Sequence, residues 1–170
     1  MNLIVPGING SGPEHWQTLW EAHDPGFLRV VQNDWDHPEF GAWMDRLQQA
    51  LEANPGSWIV AHSLGCLLVV SRQVPVQPRG AFLVAPPDPA GPEFPSTAKS
   101  FADIAKTQLS FPSLVVASED DPYASIAFAK ASAAAWGSAF VSVGQKGHIN
   151  GASGLGFWDE GYQLFKQFIS

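Results

Sequence analysis

The stretch of residues 57–70 limits the possible folds more than any other part of the sequence. Residues 58–60 are apolar and β-prone, follow an Asn-Pro-Gly turn and are too few for a helix, so they predict a buried strand. Residues 66–70 are also apolar and predict a buried helix. The connection between the two is short, so the chain must turn sharply, with Ser63 at the centre of the turn.

The turn itself, Ala61-His62-Ser63-Leu64-Gly65, fits the small-x-Ser-x-Gly pattern of a nucleophile elbow. The serine of such an elbow has a sparsely allowed backbone conformation, so the residues two before and two after it must be small. Glycine is usual at both places, and Ala61 departs from that pattern. The geometry would point the Ser63 hydroxyl out of the sheet and put the Leu64 N–H at a helix N-terminus, where it can stabilise an oxyanion. The pattern alone also fits an ordinary strand-to-helix connection.

Composition excludes several classes of protein. With 170 residues, 45% of them hydrophobic and 15% charged, the chain predicts one globular domain over residues 1–170. No apolar stretch approaches the roughly 18 residues of a membrane span, and we find no signal-peptide pattern. The single cysteine, Cys66, excludes an internal disulfide and fits a cytoplasmic location. A net charge of −7 argues against a nucleic acid or an anionic membrane as a partner.

Strand-like and helix-like segments alternate along the whole chain. Short apolar runs predict strands at residues 2–6, 27–31, 58–60, 79–85, 112–118 and 139–143. The spacing of apolar residues predicts helices from Pro13, within 40–51, after Ser63, over 125–136 and over 157–169. Continuous apolar runs, such as residues 81–84, are typical of parallel strands covered on both faces. We therefore expect an α/β fold of three layers, α/β/α, with about six parallel strands.

A proline-rich segment interrupts this alternation. Five prolines fall within residues 86–95 and forbid regular structure there. We predict a stiff loop over residues 86–108, with one helical turn near 101–106, that lies over the functional site as a small cap. A plain surface connection is the alternative.

Residues suited to catalysis follow the predicted strands. In a parallel sheet the ligand site lies at the carboxyl ends of the strands, where we expect the Gly7-Ile8-Asn9 loop, Ser63, Asp121 and His148. The order serine, acid, histidine is that of the α/β-hydrolases. A serine hydroxyl is a poor nucleophile unless a base takes its proton and a carboxylate holds that base in the right tautomer. The favoured assignment is Ser63 as nucleophile, His148 as base and Asp121 as acid.

Other residues remain candidates for the base and the acid. His62 adjoins the serine but should point away from it across the elbow and pack in the core, and His15 either borders the pocket or lies on a helix face. Asp120 is expected to face solvent or cap its loop, and Asp88 follows the fourth predicted strand, from which some hydrolases take the acid. The run Glu119-Asp120-Asp121 lacks further ligands at suitable spacing, so we predict no metal site.

The glycine-rich loop at residues 6–12 has three candidate roles. It matches neither GxGxxG nor GxxxxGK[ST], which argues against a phosphate cradle. The backbone N–H groups of Ile8 and Asn9 could instead complete an oxyanion hole together with that of Leu64. A tight turn without any chemistry is the third candidate.

Six segments, spread over nearly the whole chain, share their pattern with one protein family: Pro6-Gly7, Gly12-Pro13-Glu14-His15-Trp16, Ala61-His62-Ser63-Leu64-Gly65-Cys66, Ala85-Pro86-Pro87-Asp88, Ala117-Ser118-Glu119-Asp120-Asp121-Pro122-Tyr123 and Gly147-His148-Ile149-Asn150. They resemble the small serine-hydrolase family of retinoblastoma-binding protein nine and its bacterial YdeN-like relatives, within the α/β-hydrolase superfamily. The resemblance implies a compact α/β-hydrolase fold that lacks the first two strands of larger relatives, with Ser63, Asp121 and His148 as its triad. The partner-binding motif of the animal relative, Leu-x-Cys-x-Glu, is not matched, because Leu68 stands where that motif has glutamate.

We therefore expect a serine hydrolase of the carboxylesterase type that cleaves small esters, thioesters or activated amides through an acyl-enzyme. It would act on a small-molecule acyl substrate and need neither cofactor nor metal. We expect the pocket to be formed by His15, Trp35, Pro86 and Tyr123. Two alternatives stay open: a non-catalytic protein-binding module that retains the fold, and an acyltransferase, in which a nucleophile other than water takes the acyl group. The sequence indicates neither the natural substrate nor an oligomeric state.

Overall fold

The sheet is the centre of the fold. A computed structural model of the chain describes residues 1–71, 76–103 and 107–170. Within those ranges six strands form one sheet: β1 (Asn2–Val5), β2 (Phe27–Arg29), β3 (Trp58–His62), β4 (Gly80–Val84), β5 (Ser113–Ala117) and β6 (Ala139–Ser142). Every pairing is parallel, and the strand order is β2-β1-β3-β4-β5-β6. The predicted α/β fold with six parallel strands is confirmed.

Five α-helices and three short 3₁₀ helices lie between the strands or follow the last of them in the described residues. The α-helices are α1 (Trp16–His23), α2 (Phe40–Ala53), α3 (Leu64–Val69), α4 (Ile126–Trp136) and α5 (Asp159–Phe168), and the 3₁₀ helices are Ile8–Gly10, Ser96–Phe101 and Gly151–Ser153. The helical turn predicted near residues 101–106 lies earlier, at Ser96–Phe101, and residues 104–106 fall outside the described residues.

The prediction that the first helix begins at Pro13 is wrong by three residues. Helix α1 begins at Trp16, and His15 is its N-cap, with Nδ1 accepting a hydrogen bond from the Gln17 N–H. Proline is favoured at the first position of a helix, but the start of this helix is set by the side chain of His15. A histidine ring is not among the side chains that usually predict such a cap.

Two apolar cores lie on opposite faces of the sheet. Side chains alternate along each strand, so Leu3 and Val5 of β1 pack on one face and Ile4 on the other. The first face is covered by helices α2, α3 and α4 and the second by α1 and α5. Helix α3 is buried along its entire length, and its Cys66 thiol donates a hydrogen bond to the Val84 carbonyl at 3.3 Å. These covered faces make up the three predicted layers.

None of the described helices is both long enough and apolar enough to cross a lipid bilayer.

Candidate active site

The turn between β3 and α3 has the backbone of a nucleophile elbow. Ser63 has φ 53° and ψ −124°, a conformation that L-residues rarely adopt. A Cβ on Gly65 would lie 2.3 Å from the Val5 carbonyl oxygen, so only glycine fits there. Ala61 lies within β3, paired with Val5 and Leu83, and its methyl group is fully buried in the core. Its departure from the usual glycine is therefore accommodated by ordinary strand packing.

The structure brings the Ser63, His148 and Asp121 side chains into one hydrogen-bonded row. The Ser63 Oγ lies 2.8 Å from His148 Nε2, and both Asp121 carboxylate oxygens lie 2.9 Å from His148 Nδ1. A carboxylate can only accept, so Nδ1 has the proton and Nε2 presents its lone pair to the Ser63 hydroxyl. The side chains of His148 and Asp121 are 8% and 3% exposed, which shields their hydrogen bond from water. This arrangement can move a proton from the serine to the histidine.

The two other candidate acids do not contact the histidine ring. Asp88 accepts a hydrogen bond from the Ala90 N–H within its own turn. Asp120 accepts from the Ser118 hydroxyl and the Gly147 N–H, so it belongs to the same loops as Asp121 but is directed elsewhere. Asp121 alone of the three lies beside the imidazole.

The backbone N–H groups of Leu64 and Ile8 or Asn9 are the candidate oxyanion donors. Gly7 lies against the elbow, since a Cβ added to it would come within 2.9 Å of the Ser63 Cβ and 3.3 Å of the Leu64 nitrogen. Among the backbone hydrogen bonds of the described turns, loops and caps, none is donated by the Ile8 or Leu64 N–H. The Asn9 N–H, in contrast, donates to the Trp35 carbonyl at 3.2 Å, so the expectation that it is a free oxyanion donor is wrong.

The serine and the histidine open into a cavity of about 430 Å³. The lining includes apolar residues, among them Leu64, Pro87, Phe94, Pro95 and Tyr123, and polar residues, among them Asn9, Ser11, His15, His62 and Asn150. Residues of the proline-rich segment thus border the cavity, as a cap would. The volume is in the range of sites for small ligands.

Two of the four predicted pocket residues line this cavity and two do not. His15 and Tyr123 are part of its wall. Trp35 is not, because its ring packs under Gly10 and edge-on against Trp43, 5.5 Å between ring centres. Pro86 is buried, and its neighbour Pro87 lines the cavity instead. Trp35 still matters to the site, because its carbonyl holds the Asn9 turn.

Three histidine rings that line the cavity pack in a row. The ring centres of His15 and His62 are 4.7 Å apart, and those of His62 and His148 are 5.0 Å apart. His62 Nε2 lies 2.9 Å from the His148 carbonyl oxygen, which can only accept, so Nε2 has the proton. His62 is buried, as predicted for a core residue, but it also borders the cavity.

Burial keeps two of these three rings uncharged. It lowers the pKa of His15 to about 3, with a smaller contribution from the positive charge of Arg29. Burial likewise holds the pKa of His62 well below its ordinary value. Neither ring hydrogen-bonds to the Ser63 hydroxyl, which has His148 as its partner. Among the described residues no group of three or more His, Cys, Asp or Glu side chains is arranged to hold a metal ion.

A family model described as serine hydrolase matches residues 2–167, almost the whole chain. The chain belongs to the serine hydrolase family. The resemblance to a serine-hydrolase family inferred from the sequence is thereby confirmed. Curated protein sequences offer no match to the chain.

Solved structures agree with this family and with its fold. A YdeN-like protein from Pectobacterium atrosepticum is 32% identical, with a TM-score of 0.88, and the match covers 99% of this chain and 89% of that one. The ydeN gene product from B. subtilis is 21% identical, with a TM-score of 0.79 and coverage of 99% and 97%. A thermophilic esterase from Thermogutta terrifontis is 16% identical, with a TM-score of 0.71 and coverage of 99% and 88%. The last two likenesses concern the fold alone.

One hydrogen bond at the site of this serine hydrolase, between His62 and His148, could not be predicted from the sequence. The hydrogen bond from His62 to the His148 carbonyl joins residues far apart in the chain, and the elbow pattern specifies only that position 62 is free to vary. The unpartnered Nε2 of His15 was equally hidden, because it depends on how α1 is capped.

Proposed function

We propose that the chain hydrolyses small esters, thioesters or activated amides through an acyl-enzyme formed on Ser63. The observation that carries the proposal is the hydrogen-bonded row from Ser63 Oγ through the His148 ring to the Asp121 carboxylate, at 2.8 and 2.9 Å. Membership of the serine hydrolase family supports the reaction class.

Acylation begins when the Ser63 Oγ attacks the substrate carbonyl carbon and its proton passes to His148 Nε2. Asp121 accepts the Nδ1–H throughout and stabilises the imidazolium that forms. The carbonyl oxygen becomes an oxyanion, for which Leu64 N–H and Ile8 N–H are the proposed donors. Loss of one such donor typically costs about 3 kcal/mol of transition-state stabilisation.

The tetrahedral intermediate then breaks down. Its bond to the leaving group breaks, and His148 gives its proton to the departing alcohol, thiol or amine. A water molecule next attacks the acyl-enzyme while His148 takes one of its protons, and that proton finally returns to Ser63. The products are a carboxylic acid and the free leaving group, and the enzyme needs no metal or cofactor for any of these steps.

The cavity supports a small acyl substrate. Its volume of about 430 Å³ suits a compact molecule rather than a long lipid. Leu64, Phe94 and Tyr123 in its lining would accept a short apolar acyl group. The net charge of −7 disfavours an anionic substrate.

A fluorophosphonate probe tests the assignment of the nucleophile. The wild-type protein should be labelled once and should hydrolyse p-nitrophenyl esters, with the shortest acyl chains turned over best. Ser63→Ala should abolish labelling and reduce hydrolysis by about 10⁴-fold or more. Ser142→Ala, which changes an exposed serine of β6, is the matched control and should keep both properties. An unlabelled wild type, or equal labelling of Ser63→Ala, would contradict the proposal.

The non-catalytic alternative makes a different prediction for the same contact. A binding module that has lost turnover has no need to keep the Ser63–His148 hydrogen bond, and the 2.8 Å distance therefore favours catalysis. An acyltransferase differs from a hydrolase only in what attacks the acyl-enzyme. Adding alcohols or amines to the ester assay and measuring transfer products separates those two reactions.

A further inference from the structure

The segment that contains His148 lies outside helices and strands, yet side chains from elsewhere fix its backbone. Each of the four consecutive residues 146–149 has one backbone polar group hydrogen-bonded to such a side chain. These side chains come from the end of β3, the start of α1 and the loop after β5. We call this set of four hydrogen bonds the histidine clamp.

One half of the clamp comes from the loop after β5. The Lys146 N–H donates to the Ser118 Oγ at 2.8 Å, and the Gly147 N–H donates to the Asp120 Oδ1 at 2.8 Å. The Ser118 hydroxyl in turn donates to the same Asp120 oxygen at 2.7 Å. Asp120 is therefore the common acceptor on this side of the segment.

The other half comes from the sheet and the first helix. His62 Nε2 donates to the His148 carbonyl at 2.9 Å, and the Trp16 indole N–H donates to the Ile149 carbonyl at 2.8 Å. Both side chains are almost completely buried. They fix the residues that follow the imidazole, whereas Asp120 fixes those that precede it.

The backbone on both sides of His148 is in the left-handed region. Gly147 has φ 56° and Ile149 has φ 49°. Glycine adopts this conformation readily, but a β-branched residue such as isoleucine does so only when its surroundings impose it. The segment would relax if the clamp opened, and the imidazole would move with it.

We propose that Asp120 is a positioning residue for His148: its carboxylate holds the backbone of residues 146–147 and so keeps the imidazole within hydrogen-bond distance of Ser63. This inference rests on the proposed function. Asp120 touches neither the imidazole nor the cavity, so it acts only through the backbone. The two neighbouring aspartates thus have different roles. Asp121 hydrogen-bonds to the imidazole ring of His148, and Asp120 hydrogen-bonds to the backbone that precedes it.

The chemistry of Asp120 suits this role. The hydrogen bonds from Ser118 and Gly147 hold the pKa of its carboxyl below the ordinary value, so it stays ionised at neutral pH. Hydrogen bonds to an ionised acceptor are about twice as strong as those between neutral groups. Because the residue is exposed, replacing it should leave the apolar cores intact.

Two substitutions at Asp120 separate hydrogen bonding from charge. Asp120→Ala removes the acceptor, and we expect kcat for a p-nitrophenyl ester to fall by about 10- to 100-fold while KM stays near the wild-type value. Asp120→Asn keeps a carbonyl oxygen that can accept from Ser118 and Gly147, and it should restore most of kcat. Glu119→Gln removes a charge from the adjacent exposed residue and is the matched control, with unchanged kinetics.

Crystal structures of the wild type and both Asp120 variants give a readout that does not depend on turnover. The distance between His148 Nε2 and Ser63 Oγ should lengthen in Asp120→Ala and stay near 2.8 Å in Asp120→Asn. An unchanged distance in Asp120→Ala, or kcat as low in Asp120→Asn as in Asp120→Ala, overturns the inference. A wild type that neither turns over esters nor reacts with the probe overturns the proposed function instead, and the structural comparison still tests Asp120.

Discussion

His15 is the cavity residue whose chemistry is most unusual. Its Nδ1 caps α1, so its proton is on Nε2, a buried atom without a hydrogen-bond partner among the described residues. A buried and unpaired donor typically costs about 1–3 kcal/mol. The buried ring thus lowers the stability of the fold. Its pKa of about 3 also makes the free energy of unfolding depend on pH.

The pH dependence of stability should change when His15 is replaced. The folded-state pKa of about 3 lies below the ordinary value of 6.5, so as the pH falls below 6.5 the unfolded chain binds this proton first and stability is lost. Each pH unit in this window costs about 1.4 kcal/mol. His15→Asn keeps an acceptor for the Gln17 N–H and removes the titrating ring. Between pH 6.5 and pH 4 it should lose about 3 kcal/mol less than the wild type in urea unfolding.

Ser142→Ala, which replaces an exposed side chain without an ionisable group, provides the control for this experiment. This variant should follow the wild-type curve of unfolding free energy against pH. If His15→Asn also follows that curve, the buried ring is not the group whose protonation opposes folding.

At the scale of elements, the close approach of α3 to β1 fixes the elbow. The hypothetical Cβ of Gly65 would lie 2.3 Å from the Val5 carbonyl oxygen and 2.7 Å from that of Pro6, both of them backbone atoms that cannot turn aside. The helix therefore packs against the strand closely enough to hold the Leu64 N–H beside the Gly7 loop. The distance between these two elements, rather than any one side chain, sets the candidate oxyanion hole.

Gly65→Ala should push α3 away from β1. We expect a loss of about 1–3 kcal/mol in unfolding free energy, the usual cost of overpacking a core. We also expect a fall in kcat, because the Leu64 N–H moves away from the developing oxyanion. Chemical denaturation and ester kinetics measure the two effects. Gly12→Ala adds the same methyl group in open space and should change the unfolding free energy by less than about 0.5 kcal/mol. Equal stability of the two variants would contradict this explanation.

The strands could be predicted well from the sequence because each is a short apolar run between turn residues. The start of α1 could not, since Pro13 satisfies the local rule while the actual cap is His15. Trp35 and Pro86 were wrong as pocket residues for a related reason. Each was placed near the site by its position in the chain, but the direction of a side chain depends on its tertiary neighbours.

At the scale of the whole molecule, the candidate site forms only when several strands of the sheet are packed together. Ser63, Asp121 and His148 follow three different strands, and no two of them are close in sequence. Sequence order and strand ends were enough to name these three residues. The distances among them, and the clamp around residue 148, could not be inferred because they depend on the packing of the whole chain.

The same dependence makes Cys66 informative. It is the single cysteine of the chain, it is fully buried in α3, and burial raises the pKa of its thiol. A thiol reacts as its thiolate and only when a reagent can reach it. A chromogenic disulfide reagent should therefore leave the native protein unmodified over minutes and titrate one thiol per chain in denaturant. Rapid reaction of one thiol in native buffer would contradict this prediction.

The Cys66 thiol thus reports when helix α3 becomes accessible, at a position close to the residue proposed as the nucleophile. With a thiol reagent in excess, the modification rate at position 66 follows how often the buried helix behind the elbow becomes accessible. A fluorophosphonate labels the Ser63 hydroxyl in the folded protein. The two labels, on Ser63 and Cys66, therefore report two quantities in one sample. These are the fraction of molecules with a reactive Ser63 and the fraction in which helix α3 has opened.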